Sequence, residues 1–204
     1  MQEIEIIRQD IDCTIALCPI ISDDISDRYT DFYTQDFKSV KRKKEWLTTH
    51  FILENIFLNK TTYSYNNLEK PVLVNRTENI SISHSSNYAI IIASQNKKVG
   101  IDVEEITPRI HKIAHKFLNK SEKDFLEIEN NKTEMLYLIW CAKEAIYKLS
   151  EVFLDFADQI IIENFKITDE KILKATVLLP DNIKTIELQY LINDKFVVVW
   201  VVES

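Results

Sequence analysis

The stretch Val99-Gly100-Ile101-Asp102-Val103-Glu104 decides how the rest of the chain is read. Val99, Ile101 and Val103 alternate with Gly100, Asp102 and Glu104, so the segment predicts a strand with one apolar and one acidic face. It follows the polar turn Gln95-Asn96-Lys97-Lys98, and the chain on its two sides is built alike. Upstream, strands are expected over 3–8 and 12–20, a helix start at Ser22-Asp23-Asp24, and a longer helix over 36–58. Lys70-Pro71 reads as a loop, and 80–83 and 88–94 as a hairpin turning at His84-Ser85-Ser86-Asn87. Downstream, helices fit 109–118, 121–129 and 133–149, the second with Ser121 as N-cap of a capping box. Strands then fit 160–167, 172–179, 184–191 and 195–202. Strand, helix and strands thus occur twice. The fold class is α+β: two pseudo-symmetric α/β halves, 1–98 and 99–204, expected to pack as one body because no low-complexity linker parts them.

Composition narrows the function. The 204 residues are 46% hydrophobic and 28% charged, the balance of a globular protein. Lys and Arg number 25 against 32 Asp and Glu, a net charge of −7, which disfavours a general nucleic-acid binder. No apolar run approaches the roughly 20 residues of a bilayer span. No basic-then-apolar export signal opens the sequence, so a cytoplasmic protein without a membrane role is expected. Cys13, Cys18 and Cys141 are widely spaced and lack clustered His, against a disulfide framework or zinc site. Gly100 is the single glycine. A Gly-rich phosphate loop is therefore excluded.

Four places could carry chemistry. Asp102 and Glu104, about 7 Å apart on one strand face, can converge on a hard cation such as Mg²⁺; alternatively they are the charged outer face of an edge strand. In Trp140-Cys141-Ala142-Lys143-Glu144-Ala145-Ile146-Tyr147-Lys148, an apolar stripe at helical spacing runs through Met135, Leu138, Ile139, Ala142, Ile146 and Leu149. Glu144 and Lys148 lie opposite it, near Tyr137 and Trp140. They are either a solvated i,i+4 pair or a metal ligand and a phosphate-binding ammonium on one rod. Ser81-Ile82-Ser83-His84-Ser85, with Lys70-Pro71 upstream, offers phosphate or sugar contacts, or a Ser–His pair without an orienting carboxylate. The run Lys41-Arg42-Lys43-Lys44 is a basic helix face.

In this order the segments resemble the 4′-phosphopantetheinyl transferase superfamily, specifically its Sfp-type members. The likeness covers about 28–149. It is strongest in Val99–Glu104, in Ile113-Ala-His-Lys-Phe-Leu-Asn-Lys-Ser-Glu122 and in Trp140–Lys148, preceded by Lys70-Pro71 and Ile82-Ser83-His84-Ser85. The resemblance implies a 4′-phosphopantetheinyl transferase-like fold with coenzyme A between the halves. It also implies transfer of the phosphopantetheine arm to a serine of an apo acyl or peptidyl carrier protein, releasing adenosine 3′,5′-bisphosphate. On that resemblance Asp102, Glu104 and Glu144 would hold Mg²⁺. Glu144, directly or through a metal-bound water, would take the serine proton, and Lys148 would neutralise the pyrophosphate; Asp102, Glu144 and Lys148 form the catalytic set. Ser83, His84, Lys70 and Pro71 match nucleotide contacts, with Lys41, Arg42 and Arg28 adding basic ones. The sequence departs from the family at Glu69 and Ser86, where glycine is frequent, at His50, where Arg is, and at Ser150-Glu151-Val152-Phe153, where a Gly-rich stretch is.

Two other functions compete: a non-catalytic carrier-binding homologue and a metal-dependent phosphoesterase using the same carboxylates. A single chain suffices for the expected active unit, a monomer. Lys116, Lys120 and Lys123, with Phe117 or Leu118 as an apolar anchor, are the expected carrier-facing patch.

Overall fold

The structure is a computed structural model and describes residues 3–22, 37 and 39–203. Arg28, Asp23-Asp24 and the expected helix start near 36 lie outside the described residues. The chain divides into two compact units, Met1–Lys98 and Val99–Ser204.

The first unit contains β1 (Glu5–Gln9), β2 (Thr14–Pro19), α1 (Val40–Phe57), β3 (Tyr63–Tyr65), β4 (Pro71–Leu73), β5 (Asn79–His84) and β6 (Tyr88–Ser94). Its sheet runs β1-β2-β6-β5-β4-β3. β2 and β6 are nearly all apolar and buried, and α1 packs on both. Ser39 caps α1 by accepting from the Arg42 backbone N–H at 3.2 Å. The short strands β3 and β4 are missing from the sequence reading, because three residues are too few to show alternation. Pro71 is not in the loop expected for Lys70-Pro71 but opens β4, the strand position at which a residue without an N–H is tolerated. Glu69, standing where a glycine is frequent, has φ 57°, in the left-handed region. A glycine would sit there without the cost of about 1–2 kcal/mol that a side chain incurs.

The second unit holds β7 (Lys98–Glu105), α2 (Ile110–Ile113) running into a 3₁₀ turn (Ala114–Lys116), α3 (Lys120–Leu126), α4 (Lys132–Leu149), β8 (Ile160–Ile162), β9 (Ile172–Leu179), β10 (Asn182–Ile192) and β11 (Phe196–Glu203). Its sheet runs β7-β11-β10-β9-β8. This repeats β2-β6-β5-β4-β3 strand for strand: the opening strand lies beside the closing one, and the intervening strands descend in order. Two mixed α/β units, each with its own sheet, are therefore wound the same way. α4 lies on β11 and β8, and Val197, Val199 and Val201 join Leu138, Ile139 and Ala142 in one core.

Three expectations for this unit are corrected. The N-cap of α3 is Asn119, not Ser121: Asn119 Oδ1 accepts from the Glu122 N–H, and Glu122 Oε2 accepts from the Asn119 N–H, both at 2.9 Å. The serine lost the position because the asparagine two residues earlier closes the same box with a buried glutamate. Strand β8 ends at Ile162 rather than 167. Phe117 and Leu118 are 1% and 6% exposed and belong to the core, so neither is a surface anchor, whereas Lys116, Lys120 and Lys123 are exposed. No helix among the described residues is long and apolar enough to cross a membrane.

Candidate active site

Gly100, Asp102 and Glu104 share one face of β7, and that face lies along α4. A Cβ on Gly100 would stand 2.0 Å from the Ala145 carbonyl oxygen and 3.2 Å from the Leu149 nitrogen, so strand and helix touch backbone to backbone. Two residues on, Asp102 Oδ1 accepts from Lys148 Nζ at 2.7 Å, and the same ammonium donates to the Ile101 carbonyl at 3.0 Å. Two residues further, Glu104 Oε1 accepts from the Trp140 indole N–H at 3.3 Å. The strand thus runs antiparallel to the helix, each outward residue meeting an earlier turn of α4.

This contact explains why the acids are not a solvated edge. Asp102 is 4% exposed, and Glu104 and Glu144 are half-buried. Burial first, then the Asp102 charge, pushes the carboxyls of both Glu104 and Glu144 up to about 7. Lys148 works the other way on both. The Cys141 thiol, fully buried beside Asp102 and Glu104, is held protonated by burial and by those carboxylates. Asp102, Glu104, Glu144 and Lys148 are therefore one electrostatic cluster with an excess of negative charge. An oxygen-only set that resists carrying all its charge suits a hard divalent cation in both donor type and sign. Among the described residues no three His, Cys, Asp or Glu side chains are already drawn into ligating contact.

Lys143 and Glu122 escaped the sequence reading. Both side chains have 0% exposure and pair at 2.8 Å, a state that charged residues on a helix surface do not signal. The capping glutamate of α3 was the available clue.

In the first unit, His84 ends β5 rather than standing in the turn. Its Nε2 lies 2.7 Å from Thr49 Oγ1, and Thr49 spends its one hydroxyl hydrogen on the Glu45 carbonyl at 2.9 Å, so the imidazole donates. Glu45 also faces Lys41 at 3.6 Å and Arg42 at 3.8 Å, which ties those bases to the turn of α1 that leads to Thr49 and His84. Ser83 is buried on β5, beside His84. Lys70 and Pro71 lie at the start of β4, where the Asn66 side chain accepts from the Lys70 N–H at 3.0 Å. His50, which stands late in α1 where Arg is frequent in the family, is 1% exposed; its ring lies 3.8 Å from Trp46 and 5.2 Å from Tyr63. Burial lowers its pKa despite the Trp46 carbonyl, so it supplies no cation at neutral pH.

Comparison with known proteins agrees with the second unit. Residues 98–198 match the model of the 4′-phosphopantetheinyl transferase superfamily. A Synechocystis sp. protein carrying the provisional name 4′-phosphopantetheinyl transferase is 34% identical over 93 residues, 42% of this chain. The 4′-phosphopantetheinyl transferase of Aneurinibacillus migulanus is 32% identical over 97 residues, 47% of this chain. In each case the matched part spans 38% of the relative's length. Residues 98–198, which hold the strand–helix cluster, belong to the 4′-phosphopantetheinyl transferase superfamily.

Proposed function

We propose that the protein transfers the 4′-phosphopantetheine group of coenzyme A to a serine of an apo carrier protein. The observation that carries this reading is the acidic face of β7 laid against the Glu144–Lys148 face of α4. The serine oxygen forms a bond to the pantetheine-bearing phosphorus, the phosphoanhydride P–O bond breaks, and adenosine 3′,5′-bisphosphate leaves. Glu144, half-buried beside Asp102 on the same helix face as Lys148, would take the serine proton, directly or through a water. Lys148 brings a fixed ammonium to the charge that builds on the leaving pyrophosphate oxygen. Asp102 holds that ammonium in place. Asp102, Glu104 and Glu144 would hold Mg²⁺, which supplies charge neutralisation to the phosphates when bound. His84, pinned by Thr49, with Ser83, Lys70, Pro71, Lys41 and Arg42, would contact the nucleotide and its 3′-phosphate.

The test is to incubate the protein with coenzyme A, Mg²⁺ and an apo carrier, and to weigh the carrier. A gain of the phosphopantetheine mass supports transfer. Carrier binding without a mass change would make the protein a docking homologue, and loss of phosphate from coenzyme A alone would make it a phosphoesterase.

A further inference from the structure

The buried Lys143–Glu122 pair is placed to do more than close the core. Lys143 Nζ donates to three acceptors: Glu122 Oε2 at 2.8 Å, the Phe117 carbonyl at 2.8 Å and the Phe156 carbonyl at 2.7 Å. Glu122 is equally engaged, its Oε1 accepting from the Ile162 N–H at 2.8 Å and its Oε2 from the Asn119 N–H. The node joins α3, α4, β8 and the segments around 117 and 156. Those two segments share a second property. The Phe117 and Phe156 rings stand 5.2 and 5.6 Å from the Trp140 ring, one turn of α4 before Lys143. Trp140 in turn donates to Glu104. The ammonium therefore grips, by their carbonyls, the two residues whose rings hold the indole.

We propose that Lys143 is a positioning residue: by tethering Phe117 and Phe156 it clamps Trp140, and so fixes the Glu104 carboxylate on the β7 face. The proposal rests on the transferase reading only for its effect on rate; the clamp itself is a statement about Trp140. A buried ammonium has three N–H donors to satisfy, and two of the acceptors it meets are the backbone carbonyls of the clamping residues. Such support of a ligand-bearing residue is worth about tenfold to a hundredfold in affinity or activity.

The test follows the indole N–H of Trp140 by ¹⁵N–¹H correlation spectroscopy, assigned by its loss in Trp140→Phe. Lys143→Met alone strands the Glu122 charge, so the informative variant is Glu122→Gln with Lys143→Met, confirmed folded by its thermal transition. The expected result is an indole signal moved upfield or broadened, and kcat for carrier modification lowered about tenfold or more. Glu122→Gln by itself removes the counter-charge of Lys143 and one acceptor but leaves the Phe117 and Phe156 carbonyl bonds, so in the folded variant the signal should stay near its native position. Phe156→Leu leaves the node intact, removes one jaw, and should move the signal. An unmoved indole in the folded double variant overturns the proposal; should that variant not fold, an unmoved indole in Phe156→Leu overturns it. If the native protein modifies no carrier while the indole behaves as stated, the transferase reading fails and the clamp stands.

Discussion

Asp102 and Lys148 form an ion pair at 2.7 Å that the transferase reading would use in chemistry as well as in stability. The aspartate is buried, and its partner is the ammonium proposed to meet the leaving group. Removing Lys148 as Lys148→Ala should lower kcat by two or more orders of magnitude, roughly the cost of losing one oriented charge at a reacting phosphate. It should also destabilise the fold, since it leaves Asp102 buried beside Glu104 and Glu144. Asp102→Asn should recover most of that stability in the Lys148→Ala background without recovering activity, as read by thermal melts and carrier mass. The two glutamates make a separate prediction. Each binds its proton more tightly in the folded chain than an ordinary glutamate does at about 4.5, since both are pushed to about 7. Their contribution to stability is therefore complete below about pH 4.5 and is lost as pH rises through 7. Without divalent cations the melting temperature should fall between about pH 5 and 8, and Glu104→Gln with Glu144→Gln should flatten that fall. Added Mg²⁺ should raise the melting temperature at pH 8 and not at pH 5; a melting temperature indifferent to both would remove the metal assignment.

At the level of elements, the site is made by one strand lying on one helix, and Gly100 sets their distance. Gly100→Ala forces the Ala145 carbonyl to give way, and overpacking of this kind costs about 1–3 kcal/mol. The displaced helix carries Glu144 and Lys148, so activity should fall further than stability; equal losses in a melt and in carrier modification would show that spacing is not the point. Much of this was readable from Val99–Glu104 and Trp140–Lys148, because period-two and helical spacing fix which side chains share a face. What the spacing could not give was the facing of strand to helix, which comes from the missing Cβ of Gly100. Nor could it give the depth of Lys143, since a lysine between alanine and glutamate has the pattern of a solvated turn. His50 reads in the sequence as a departure from the family's Arg, but its burial between Trp46 and Tyr63 comes only from the fold.

For the molecule as a whole, each unit closes its own core, and the charged pairs of the candidate site lie inside the second. Residues 99–204 expressed alone should therefore give a single cooperative melt, with the Trp140 indole held as in the full chain, while losing the basic residues of α1 and His84. A fragment lacking a cooperative transition would mean that the second unit depends on the first for its fold. The repeated winding also sets the order of events during folding. β2 pairs with β6, and β7 with β11, so Lys98–Glu105 joins its sheet only once Phe196–Glu203 has been made. Contacts so distant along the chain make for slow folding. On the ribosome the apolar flank of β7 emerges long before its partner, so the nascent second unit exposes an unpaired apolar edge until β11 has been made.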